Sequence, residues 1–150
     1  MDWEILKKKV NILKEKYEVY KSQNSVNKLE LREIILDILS WFEICIKNDN
    51  FFNNSGLISG FRYINNKKKH ADEIYEYTFI TRGSFPSNNI FPSSQLYPSE
   101  LKITWCQIDT ESDNNWVHQW KNYQSNLANE NVLKTIDLLL KALKEHYRLK

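Results

Sequence analysis

Apolar side chains recur three and four residues apart through most of this chain, and no other feature restricts its fold as strongly. Trp3, Leu6, Val10, Leu13, Tyr17 and Tyr20 line one face of a helix predicted over Trp3 to Tyr20. Ile5, Ile12 and Val19 repeat every seven residues and are expected to widen that inner face. A polar link from Ser22 to Asn27 suits a tight helix–helix connection. Asn27 followed by Glu30 resembles a helix N-cap, and Leu31, Ile34, Ile35, Ile38, Leu39, Phe42, Cys45 and Ile46 mark a second helix. Asn48-Asp49-Asn50 ends it, because short polar side chains compete for the last backbone groups.

A third helix is expected from Asn54 or Ser55 to about Tyr77. Leu57, Phe61, Ile64, Ala71, Ile74 and Thr78 are spaced for its inner face, with the stem of Lys68 filling the gap. Gly56 and Gly60 lie four apart near its start, where another backbone can approach closely. The pattern changes over 79–113, where Phe85-Pro86-Ser87, Phe91-Pro92-Ser93 and Tyr97-Pro98-Ser99 repeat every six residues. Proline lacks the donor a helix needs and restricts its predecessor to extended geometry. Leu101, Ile103 and Trp105 then alternate with Lys102 and Thr104, a strand signature whose expected partner is Tyr77 to Thr81.

Helix returns with Trp116, Trp120, Tyr123 and Leu127, after a cap at Ser112 or Asp113. It returns again after Asn129 with Val132, Leu133, Ile136, Leu139, Leu140, Leu143 and Tyr147. Three Gly and three Pro in 150 residues are too few for the turns of a sandwich or barrel. The expected fold is mainly α: one domain over 1–150, a five-helix bundle with a proline- and aromatic-rich insertion containing a short β-hairpin.

A net charge of +2 implies neither a nucleic-acid nor a membrane partner from bulk electrostatics, although lysines cluster at 7–9 and 67–69. Cys45 and Cys106 stand far apart in apolar surroundings, which suits a reducing, cytoplasmic setting better than a disulfide framework. Acidic residues interrupt the most apolar stretch, from Leu29 to Ile46, so no membrane span is expected, and the N-terminus lacks a signal-peptide core. No phosphate loop, nucleophile elbow or metal-ligand spacing is present, and neither a metal nor a cofactor is expected. His118 and His146 read as surface or interface residues.

Arg62, Asn66 and His70 are each four apart, a polar ladder on the third helix beside Lys67, Lys68 and Lys69. Arginine can hold a phosphate, asparagine can orient a neighbour and imidazole can move a proton near neutral pH. These parts suit metal-free RNA cleavage through the ribose 2′-hydroxyl, with the lysines drawing in the anionic substrate. An outer helix face of charged and amide residues is the bland alternative.

Two long helices followed by Phe61-Arg62-Tyr63-Ile64-Asn65-Asn66-Lys67-Lys68-Lys69-His70 resemble the HEPN superfamily of small helical bundles. The family's arginine falls here at Asn65, so Arg62 would substitute from one turn upstream. The resemblance implies two alternatives: a non-catalytic module that dimerises through the third helix, or a metal-independent endoribonuclease using Arg62, Asn66 and His70. It also implies a phage-defence or toxin–antitoxin setting and an RNA or protein partner. Of these, the interaction module stands first. Separately, Phe85, Phe91, Tyr97, Trp105, Trp116 and Trp120 either line a groove for a base, peptide or flat ligand or pin the excursion to the bundle, the second being the expectation.

Overall fold

The computed structural model describes residues 2–46, 49–68, 73–81 and 99–148. Helix dominates, as the apolar spacing requires. α1 (Asp2–Gln23) and α2 (Lys28–Ile46) run antiparallel, with Lys9 bonded to Asp37 at 2.5 Å and Lys16 paired with Glu30 at 3.3 Å. The Asn27 carboxamide accepts the Glu30 backbone N–H at 3.1 Å, so the predicted cap starts α2. Leu6, Val10, Leu13 and Tyr20 bury against Leu31, Ile35, Ile38, Leu39, Phe42 and Ile46. Each such side chain contributes roughly 1.5–3 kcal/mol by leaving water.

Ile12 and Val19 do not widen this face as expected; both are exposed. The seven-residue repeat falls on a different side of α1 from the core row, and each flank of that row is already closed by a neighbouring helix. α2 pairs on one side, and Lys14 reaches Asp137 of the last helix at 3.2 Å on the other.

A 3-10 turn (Asn50–Asn54) leads into α3 (Gly56–Tyr63), capped by the Ser55 hydroxyl accepting the Ile58 N–H. α3 widens into a π-helical turn over Ile64–Lys68. The helix expected to reach Tyr77 is therefore shorter: Glu73 and Ile74 are non-helical and Tyr75 opens a strand. The segment Tyr75-Glu76-Tyr77-Thr78-Phe79-Ile80-Thr81 carries helical and period-two spacings together, and strand pairing decides between them.

β1 (Tyr75–Thr81) and β2 (Ser99–Trp105) are antiparallel, with Tyr77 opposite Ile103 and Phe79 opposite Leu101. Tyr75, Ile103 and Trp105 are buried, whereas Glu76, Thr78, Ile80 and Lys102 are exposed, the alternation expected of a sheet lying on a bundle. The turn repeat with Phe85, Phe91 and Tyr97 lies outside the described residues.

α4 (Val117–Asn126) starts later than the predicted caps at Ser112 or Asp113. Asp113 instead shapes the preceding turn, accepting the Asn115 N–H on its carboxylate and the Trp116 N–H on its carbonyl. α5 (Val132–Tyr147) is capped by Asn131, whose side chain accepts the Lys134 N–H at 2.9 Å. Thus five α-helices and one two-stranded antiparallel sheet surround a continuous apolar core among the described residues.

α3 and α4 touch at backbone distance. A Cβ on Gly60 would lie 3.1 Å from the Tyr123 Cα and 3.1 Å from the Leu127 Cδ1. A side chain there would press on the Tyr123 backbone, so glycine eases that approach, the use foreseen for the Gly56/Gly60 pair.

Candidate functional site

The polar edge of α3 begins at Arg62, which is paired within the chain. Its Nε donates to the Glu43 Oε1 of α2 at 3.2 Å, and both side chains are largely covered. A π-helical turn bonds five residues back rather than four, so a four-residue ladder no longer stays on one line. Accordingly Arg62 is half-buried while Asn66 is exposed. His70 and Lys69 lie outside the described residues, as does the side chain of Lys68.

Lys67 belongs to a second polar group. Its Nζ lies 3.9 Å from the Glu111 Oε2 and 3.9 Å from the Asp113 Oδ2. The Glu111 side chain is only 5% exposed, accepts the Tyr63 hydroxyl at 2.6 Å, and also accepts the Asp113 N–H at 3.3 Å. Burial, reinforced by the bond to Glu111, pushes the Tyr63 phenol upward and keeps it a donor. Two carboxylates facing Lys67 oppose the positive potential it would offer a phosphodiester. The group ties the segment after β2 to the π-helical turn.

The three tryptophans act as pins. Trp105 is fully buried, donates from Nε1 to the Thr135 Oγ1 at 2.8 Å and meets Phe61 edge-on at 5.8 Å. It cannot form the wall of an open groove. Trp120 donates to the Ile108 carbonyl at 2.7 Å, and Trp116 packs beside the core. For these three tryptophans the contacts are those of the packing alternative.

A surface cavity of about 600 Å³ opens elsewhere, between the start of α2 and β1. Lys28 and Arg32 supply cations, Glu73 and Glu76 supply carboxylates, and Tyr75 and Tyr77 form its aromatic wall. Tyr75 donates to the Lys28 carbonyl at 2.9 Å, and the Lys28 ammonium sits 5.8 Å from the Tyr77 ring centre. With charges of both signs, the lining favours no one class of ligand.

His146, read as a surface or interface residue, is half-buried and packs within the chain. Its Nε2 lies 3.1 Å from the Asp49 Oδ2, and its ring stacks on Phe51 at 3.7 Å. Tyr147 donates to the same carboxylate oxygen at 2.6 Å. That bond, followed by the Phe51 N–H, holds the Asp49 carboxyl below its ordinary range. This cluster clamps the end of α5 to the link before α3. His118 is exposed.

Glu43, Asp49, Tyr63 and Glu111 escaped the sequence reading because their partners lie many residues away and local spacing carries no trace of them. Thiol chemistry has no support either. Burial pushes Cys45 and Cys106 up to about 11, so both are protonated at neutral pH. Among the described residues no three His, Cys, Asp or Glu side chains converge as metal ligands, and no helix is long and apolar enough to cross a membrane. No protein-family model, curated protein or solved structure matches the chain.

Proposed function

We propose that this chain is a non-catalytic, HEPN-like interaction module that works in the cytoplasm by binding another macromolecule through a helix surface. The observation that carries this reading is how the cations of the α3 edge are used. Arg62 is bonded to Glu43, and Lys67 faces Glu111 and Asp113. A phosphate approaching either cation would meet a carboxylate of this chain beside it, whose negative charge opposes its own. Turning the partly covered guanidinium away from Glu43 would in addition forfeit a charge-assisted bond of roughly 1.5–3 kcal/mol. The phage-defence or toxin–antitoxin setting implied by the sequence resemblance suits such a module.

The α-helical part of the third helix, α3, offers little open surface for pairing. No residue of Gly56–Tyr63 is exposed, since one side packs on α4 and the other on the core. Incubating the purified chain with single-stranded RNA in chelator tests the reading. No cleavage is expected from the wild type or from His70→Ala. Cleavage that disappears in His70→Ala while the fold is retained would replace the module with the ribonuclease.

A further inference from the structure

The exposed side of α1 carries a pattern that the core does not use. Ile5, Lys8, Ile12, Glu15 and Val19 are spaced three, four, three and four, so they form one stripe along the helix. Ile12 is 44% and Val19 45% exposed, Lys8 and Glu15 are exposed, and Ile5 is half-buried. On the flanks of the same helix Lys9, Lys14 and Lys16 are each paired with a carboxylate of another helix. Lys8 and Glu15 have no such partner among the described residues.

The stripe complements itself when reversed. An antiparallel copy of α1, turned about a two-fold axis through Ile12, sets Ile12 on Ile12, Ile5 on Val19, and Lys8 on Glu15. Every apolar residue meets an apolar one and each lone charge meets its opposite, at both ends of the contact. A parallel copy would set lysine on lysine and glutamate on glutamate. The ion pairs Lys9–Asp37 and Lys16–Glu30 place α2 alongside, with the exposed Ile44 beyond the Ile5 end of the stripe.

We infer that this α1 stripe, flanked by α2, is a pairing surface for a second copy of the chain, joined in an antiparallel, two-fold contact centred on Ile12. The inference rests on the interaction-module reading and names that module's partner and surface. Two helices on two helices, about 30 Å long and about 20 Å wide, bury on the order of 1,200 Å² in total, the lower end of the range for specific pairs. The dimer is therefore concentration-dependent.

Sedimentation velocity across a concentration series tests it with four chains. Wild type should move from monomer to dimer as concentration rises. Ile12→Glu sets two carboxylates against each other on the axis and should weaken pairing about a hundredfold or more. Lys8→Glu alone should weaken it about tenfold, and Lys8→Glu combined with Glu15→Lys should restore it, which no general loss of folding could imitate. A wild type that stays monomeric throughout overturns the inference, as does a dimer indifferent to Ile12→Glu in a variant with unchanged circular dichroism. Neither result touches the module reading, which RNA cleavage decides separately.

Discussion

α1 and α3 are both helices with an apolar face and basic side chains, several lysines on α1 and Arg62 alone on α3, yet the fold treats them oppositely. α3 is enclosed over its whole α-helical length, its cation is bonded to α2 and its glycines let α4 press against it. α1 buries one row and leaves Ile12 and Val19 in solvent beside Lys8 and Glu15, which have no ion-pair partner on another helix among the described residues. The contrast separates residues that hold this protein together from residues free to meet something else. A motif on an enclosed helix uses its charges within the chain, whereas a quieter repeat on an outer helix keeps them available.

The contrast breaks most visibly at Trp105. Trp105→Ala should cost about 3–5 kcal/mol, since it removes a buried ring and deprives the Thr135 hydroxyl oxygen of its Nε1–H donor. Urea denaturation measures this, and a variant of unchanged stability would mean that the ring is not an interior pin.

Gly60→Ala should cost about 1–3 kcal/mol because the new methyl meets the Tyr123 backbone, which cannot swing aside. At Gly56 the nearest atom, 2.9 Å away, is the tip of the Asn126 side chain. Gly56→Ala should therefore change stability by less than about 1 kcal/mol in either direction. Equal losses at the two glycines would show that α3 and α4 are not in backbone contact at Gly60.

Ile12→Glu, by contrast, should leave the stability of the monomer within about 0.5 kcal/mol while abolishing pairing. Thermal unfolding at low concentration would reveal a larger loss if the stripe belonged to the core.

Acid should have the gentlest effect, reaching both regions. The Tyr147 hydroxyl holds Asp49 low, and the Tyr20 hydroxyl holds Glu30 low. A carboxyl whose folded pKa is depressed contributes stability above its unfolded value, 3.8 for Asp49 and 4.5 for Glu30, and loses it as pH falls toward the folded value. Melting temperature should accordingly drop below about pH 5, with a shallower slope in Asp49→Asn. The alkaline limb has the opposite sign. Burial raises Tyr147 from 10.0 to about 12, so its contribution is complete below pH 10 and fades as pH climbs to the folded value. A flat profile in Asp49→Asn at both extremes would show that the clamp carries all of the pH dependence.

Much of the architecture was legible along the chain. Leu6, Val10 and Leu13 on α1, and Leu31, Ile35 and Phe42 on α2, announced their faces because a helix repeats its neighbours every three or four residues. Leu101, Ile103 and Trp105 announced β2 in the same way at period two. The Gly56/Gly60 pair pointed to a close approach without saying which helix would make it. The end of α3 was not legible, since Ile74 and Thr78 fit a helix while Tyr75, Tyr77 and Phe79 fit a strand. Pairing with β2, more than twenty residues away for Tyr77 and Ile103, resolved that conflict.

The candidate site was legible only as an inventory. Arg62, Asn66 and Lys67 could be named from spacing, but Glu43, Glu111 and Asp113, which engage Arg62 and Lys67, come from other elements.

Local periodicity therefore determined which segments are helix or strand and which side chains seek the interior, because those depend on neighbours a few residues apart. Tertiary packing alone decided which charges find partners and which stay open. A salt bridge or a buried carboxylate is a property of two distant segments meeting, and no spacing within either segment encodes it.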